Sequence, residues 1–361
     1  MAEEVAKQEI NVTRGTFDFE GIITNFDKNQ EVDSKTKKGN AMRSIVFNID
    51  TAEGHSHRLQ LRAYQAEKVY FSKTEVDKDG NRKNDIKEVK WNDRLKFNME
   101  GYQPIDRVSF HKGKVTDDKG NERRATAHML TFDAIPEILN EFKVGDSVHI
   151  FGNIQIEDYT MQNGNSGTAV RLVPTRIYHT SEDVDFTKEG FKETANFTQK
   201  LLVDEIEISG TNEATITGLI IGNQRMGRQD FIMRDKVYQN YASLLQVMKN
   251  ANKYVSMTVF GTLVNGAAKE EEVDEYVEIM GVKVKVEKNP MQRNTGGSFV
   301  REFLINGIET KDGVPQFDNG IEYTEENVQK FINQFIRARQ EFGESTNTVE
   351  AETTSVDDFA F

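Results

Sequence analysis

Two stretches of this chain write the same strand. In Asp146-Ser147-Val148-His149-Ile150-Phe151-Gly152-Asn153-Ile154-Gln155-Ile156, Val148, Ile150, Gly152, Ile154 and Ile156 fall on one side and His149, Phe151, Asn153 and Gln155 on the other. In Tyr254-Val255-Ser256-Met257-Thr258-Val259-Phe260-Gly261-Thr262-Leu263-Val264 the alternation returns in phase, with Phe260-Gly261 standing where Phe151-Gly152 stood. A period of two is a half-buried strand. Glycine on its apolar side marks a bulge or a sharp bend. A helix-like stretch precedes each copy, Ala134 to Phe142 and Tyr241 to Ala251. Helix followed by a bent strand, written twice, predicts two small β-barrels in tandem and a mainly β fold.

The rest of the chain fills in around these copies. Residues 1–13 are polar and aperiodic and read as a flexible arm, opening a first domain over 14–180. Strands are expected at Thr16 to Ile23, at Ile45 to Ile49 and at Arg58 to Tyr64, with Leu59, Leu61 and Ala63 inward and Arg58, Gln60, Arg62 and Tyr64 outward. Residues 68–131 read as an insertion of two β-hairpins, turning at Asp77-Lys78-Asp79-Gly80 and Asp117-Asp118-Lys119-Gly120. Val170 to Tyr178 closes the first barrel, and the acidic stretch 181–195 reads as a linker. In the second domain, 196–310, Ala214 to Ile220 matches Asp18 to Ile23 and is taken as the first strand, with Phe231 to Val237 next and no clear third strand. Residues 324–342 read as a C-terminal helix capped by Thr324, because Val328, Phe331, Ile332, Phe335 and Ile336 recur at spacings of three and four. Beyond it, 343–361 has no basic residue and is rich in Ser, Thr and Glu, the composition of a disordered acidic tail.

Composition removes several classes of function. With no cysteine in 361 residues there is no disulfide, thiolate metal site or cysteine nucleophile. No phosphate-binding Gly-x-x-x-x-Gly-Lys-Ser/Thr loop and no His-Glu-x-x-His occurs. His55-Ser56-His57 reads as a polar hairpin turn rather than a metal site. No enzyme, cofactor or metal is expected. No run is apolar enough to span a membrane and the start does not resemble a signal peptide, so the expected location is cytoplasmic. The net charge of −13 is uneven: residues 1–180 carry 27 basic and 28 acidic residues, and 181–361 carry 19 and 31. A basic surface therefore has to be local if it exists.

At Gly145-Asp146-Ser147-Val148-His149-Ile150-Phe151-Gly152-Asn153-Ile154-Gln155 the chain resembles the fourth barrel strand of OB-fold single-stranded DNA-binding proteins. Its end, Asp357-Asp358-Phe359-Ala360-Phe361, is similar to the acidic tip of that family, with Ala360 where the bacterial proteins usually have proline. The resemblance covers the first barrel and the tip well, the second barrel loosely and the inserted hairpins not at all. The length is closer to enlarged bacteriophage replication proteins than to cellular bacterial members. What the resemblance implies is a non-catalytic protein that coats single-stranded DNA in replication, recombination or repair. Its tip would recruit replication and recombination proteins such as a polymerase, helicase, primase or nuclease, and self-association is open.

A single-strand groove needs cations for phosphates and aromatic faces for bases. The candidates are Lys37, Lys38 and Arg43 in the basic loop before the second strand, and Arg58, Arg62 and Tyr64 on the third. Trp91 and Arg94 in the insertion, and Arg225 and Arg228 in the second domain, complete the set. Asp357, Asp358, Phe359 and Phe361 are the partner-binding candidates, since a tail with an aromatic side chain and a terminal carboxylate suits a basic, apolar pocket. Outward Phe151 and Phe260 fit packing at least as well as stacking. The rival reading is a structural or assembly protein, a virion component or scaffold, using its barrels for protein contacts.

Overall fold

The computed structural model describes residues 11–26, 33–36, 39–76, 78, 80, 82–116, 120, 122–160, 166–209, 212–222, 225–235, 241–249, 254–267, 276–279, 282–285, 299–311, 314–315 and 324–333. In chain order the first half forms β1 (Gly15–Phe26), β2 (Asp33–Lys35), β3 (Ala41–Ala52) and β4 (His55–Tyr64). The insertion follows, with β5 (Lys68–Val76), β6 (Arg82–Lys90), a 3-10 turn at Trp91–Asp93, β7 (Gln103–Pro104), β8 (Arg107–Thr116) and β9 (Glu122–Leu130). Then come α1 (Thr131–Glu141), β10 (Ser147–Thr160) and β11 (Ser166–His179).

Five of these strands close a ring. β1 pairs with β3, β3 with β4 and β10 with both β1 and β11, all antiparallel; β11 closes it by running parallel to β4, Leu172 opposite Leu59. This is the connectivity of the OB barrel. Its interior is filled as the alternation predicts: Phe17, Phe19, Ile23, Phe47, Ile49, Leu59, Leu61, Val148 and Ile150 are all buried. Each such Leu, Ile or Phe contributes about 1.5–3 kcal/mol by leaving water. The expected hairpins are present as β5–β6 and β8–β9.

The second half repeats the ring with β12 (Thr194–Ser209), β13 (Glu213–Gly222), β14 (Arg225–Arg234), α2 (Tyr241–Lys249), β15 (Ser256–Ala267) and β18 (Phe299–Ile308). β12 pairs with β13 and β15, β13 with β14, β15 with β18, and β14 runs parallel to β18. A small hairpin, β16 (Tyr276–Ile279) and β17 (Val282–Lys285), stands between β15 and β18; β19 (Thr310–Lys311) and β20 (Val314–Pro315) follow. The order of strands in this half differs from the sequence reading. Ala214 to Ile220 lies in β13, the second strand of the ring and not the first, and the missing third strand is β14. The first strand is β12, which opens at Thr194, inside the stretch read as linker. Arg225 and Arg228 stand on β14. Its sequence, Arg-Met-Gly-Arg-Gln-Asp-Phe-Ile-Met-Arg, puts glycine on the inward side where a strand signal needs a large apolar residue.

The doubled Phe-Gly bend is real in both rings. The ladder shifts register between Phe151 and Gly152 and again between Phe260 and Gly261. A Cβ on Gly152 would stand 2.3 Å from the Phe17 ring and from the Val173 carbonyl oxygen; one on Gly261 would stand 1.9 Å from the Leu304 carbonyl oxygen.

The barrels meet through their first strands. β1 and β12 pair antiparallel from Gly15–Gln199 to Glu20–Thr194, so the two rings belong to one thirteen-stranded sheet. The described part of the C-terminal helix, α3 (residues 325–333), starts as expected: the Thr324 hydroxyl accepts from the Asn327 N–H at 3.3 Å. α3 buries Val328 against a cluster of Leu202, Leu219, Ile221 and Tyr254. Among the described residues, no helix is long and apolar enough to cross a membrane.

Candidate nucleic-acid interface

β4 must turn Leu59, Leu61 and Ala63 into the barrel, and the period of two then sends Arg58, Gln60, Arg62 and Tyr64 outward. Across the ladder they face Asn48, Val46, Ser44 and Met42 of β3, so no carboxylate opposes them on that strand. Tyr64 is 49% exposed, its ring open to solvent.

The neighbouring strand adds a cation that the sequence reading missed. Because Leu172 of β11 sits opposite Leu59, Arg171 points out on the same side as the β4 row. It is held by Glu157 at 2.6 Å and by Gln155 at 3.1 Å. Burial holds its guanidinium below the ordinary range; Glu157 opposes this, and Arg62 and Arg225 add to it. Arg225 stands at the start of β14, so it is the second barrel that brings a like charge up to Arg171. A further arginine of that barrel, Arg301 of β18, donates to the Val170 carbonyl at 3.4 Å, beside Arg171. Crowded, partly desolvated cations of this kind gain by taking an anion. The alternation of Val170 to Tyr178 already sent Arg171 outward; that a strand 130 residues away in sequence would place Arg301 beside it could not be read locally.

Other candidates have structural partners. Arg43 lies over the Phe132 ring at 4.3 Å and pairs with Asp33 at 2.7 Å, tying the edge of the barrel to α1. Trp91 is not an exposed stacking surface. It belongs to the core, edge-on to Phe132 at 5.0 Å, because the 3-10 turn after β6 directs it under the insertion. Arg94 covers it at 4.1 Å and makes a two-pronged pair with Asp133 at 2.8 and 2.9 Å. Arg228 is paired with Asp204 at 2.9 Å, and Arg234 with Glu213 and Glu302. Phe260 is 44% exposed; Phe151 is partly covered, with Arg176 at 5.9 Å from its ring centre. Lys37 and Lys38, and the tip residues Asp357, Asp358, Phe359 and Phe361, lie outside the described residues.

His55-Ser56-His57 is not simply a polar turn. The turn is Glu53–Gly54, and His57 is inside, with burial, then His55 and Arg301, driving its pKa down to about 3. No group of His, Asp and Glu able to hold a metal ion occurs among the described residues. A separate hollow of about 400 Å³ is lined by Glu20, His149, Tyr178, Asp183, Asp185 and Lys188, among others, and none of the β4 row reaches it.

Residues 14–348 match the model of the YorF family. No curated protein matches the chain. Among solved structures, the wild-type single-stranded DNA-binding protein from Thermus aquaticus aligns over 86% of this chain and 98% of its own, at 10% identity and a TM-score of 0.33. A deletion mutant of that protein aligns over 85% and 98%, at 8% identity and a TM-score of 0.36.

Proposed function

We propose that this chain, which belongs to the YorF family, is a non-catalytic protein that binds single-stranded nucleic acid, DNA in the first instance. One observation carries the reading. Arg58 and Arg62 stand on β4 in one outward row with the exposed Tyr64; Arg171 of β11, itself held by Glu157, lies beside that row, and Arg225 and Arg301 of the second barrel come up against it. The second and third strands of an OB barrel commonly form its oligonucleotide-binding face, and β3–β4 are those strands here. A row of cations with an aromatic face suits a flexible strand whose bases are free to stack; a duplex keeps its base faces stacked inside the helix.

On this reading the protein coats the strand during replication or recombination, and the acidic tip ending in Phe359-Ala360-Phe361 recruits partner proteins. The tip is distinct in chemistry from the cationic face, and its removal should abolish partner capture while leaving the strand-binding face intact.

The test is fluorescence anisotropy of a labelled oligo-dT strand and of a duplex, each at low and moderate salt. A labelled strand is used because Trp91 is buried in the core. Saturable preference for the single strand is expected, with a slope of log affinity against log salt of about −0.7 for each phosphate neutralised. No binding of either probe at low salt would remove this reading in favour of a protein-assembly role.

A further inference from the structure

The β1–β12 ladder joins the barrels along one line. A single ladder resists separation, but it leaves rocking about its own axis to be restrained elsewhere. Packing of β14 against β10 and β11 supplies part of that restraint, and the turn between β3 and β4 supplies a second, polar part. Gly54 and His55 of the first barrel press on Gly266 of β15, where a Cβ would stand 2.1 Å from the Gly54 carbonyl oxygen. Asn265 donates its side-chain amide to the Ser56 carbonyl. Beneath this contact lies a side-chain network across the barrels. The Thr51 hydroxyl donates to Glu193 at 2.6 Å, His55 Nδ1 meets the same carboxylate at 2.8 and 3.0 Å, and His57 Nε2 donates to the Thr51 oxygen at 3.1 Å. Glu193 immediately precedes β12; Thr51 and His55, which it holds, and His57 behind Thr51 belong to the first barrel. Both His55 and Glu193 are largely covered, with side-chain exposures of 17% and 19%, so water competes little for these hydrogen bonds.

The same place holds Arg301. It pairs in register with Asn265 across β15–β18, and its guanidinium reaches Val170 of the first barrel. An altered angle between the barrels would therefore move Arg301, and Arg225 on the strand beside it, relative to Arg171 and Arg62.

We infer that Glu193 is a positioning residue: by gripping Thr51 and His55 it sets the angle between the barrels and so aligns the arginines of the second with those of the first. The inference rests on the strand-binding role proposed above, but its mechanical part is measurable without nucleic acid. The chain has no native cysteine, so a dye pair at Lys143→Cys and Ser209→Cys, one exposed position on each barrel, reports the angle cleanly. Glu193→Ala should broaden or shift the energy-transfer distribution, lower oligo-dT affinity several-fold and reduce the salt slope by about 0.7–1.4, the loss of one or two phosphate contacts. Bridging Ser56→Cys to Asn265→Cys with a short bis-maleimide in the Glu193→Ala background should restore both distribution and slope; a merely destabilised protein would not recover the slope. If Glu193→Ala is unfolded, His55→Gln is carried through the same measurements. An unchanged distribution in a folded variant overturns the inference, as does a changed distribution with wild-type affinity and slope. Failure of the wild-type protein to bind any strand overturns the functional reading instead and leaves the dye measurement to judge the joint alone.

Discussion

Phe17 stands directly opposite Phe197 in the β1–β12 ladder, and each is paired on its other side with the bent glycine of its own barrel, Gly152 for Phe17 and Gly261 for Phe197. The two halves are thus related by a local two-fold relation through this pair. Opposite residues of an antiparallel ladder share a face. Both rings therefore point to the same side of the seam, each into its own barrel.

The bent glycines should accept no side chain. Gly261→Ala would drive a methyl group to 1.9 Å from a backbone oxygen that cannot rotate away, and Gly152→Ala would strike both Phe17 and a backbone oxygen at 2.3 Å. Each is expected to cost about 1–3 kcal/mol, read as a lowered urea midpoint.

Arg94→Ala should separate stability from binding. It breaks a largely buried pair, with Arg94 and Asp133 side chains 14% and 11% exposed, and uncovers Trp91. A loss of about 3 kcal/mol in unfolding free energy is expected, with unchanged affinity for a single strand when measured well below the melting temperature. A matching loss of affinity in folded protein would restore Trp91 and Arg94 to the binding site.

On the proposed face the opposite split is expected. Tyr64→Ala should weaken oligo-dT binding by about 1–3 kcal/mol if one base stacks on it, and Arg62→Ala should reduce the salt slope by about 0.7. Neither should change the unfolding free energy by more than about 0.5 kcal/mol, since Tyr64 is exposed and Arg62 is only partly covered.

His57 gives the fold an acid limit. Its pKa falls from an ordinary 6.5 to about 3 in the folded chain, through burial first. Below pH 6.5 the unfolded chain takes up a proton that the folded chain refuses, so this contribution to stability is complete above that pH. It is lost as pH falls from about 6.5 to about 3, at up to about 1.4 kcal/mol per pH unit. His57→Gln should flatten this part of the stability profile, measured by urea unfolding between pH 4 and 7. An equally steep profile in the variant would assign the acid sensitivity to other groups.

Much of the architecture is written locally. Period-two alternation, the two Phe-Gly bends and the Asp-Gly turns specify where the chain extends, where it bends and where it reverses, because each depends on backbone sterics and on which side chains share a face. The outward row Arg58, Arg62 and Tyr64 was legible for the same reason: once Leu59 and Leu61 go inside, nothing else can happen to their neighbours. Which strands pair was decided by the tertiary structure. β12 became the first strand of the second ring, and Ala214 to Ile220 the second, because a strand's place depends on the partner whose unpaired backbone it satisfies. Trp91 went to the core because Phe132 and Arg94 enclose it, a destination its own flanking lysine and arginine do not disclose. The convergence of Arg171, Arg225 and Arg301, and the Glu193 grip beside it, exist only after the barrels dock. Charges far apart in sequence acquire a common field only when the fold has put them on one surface.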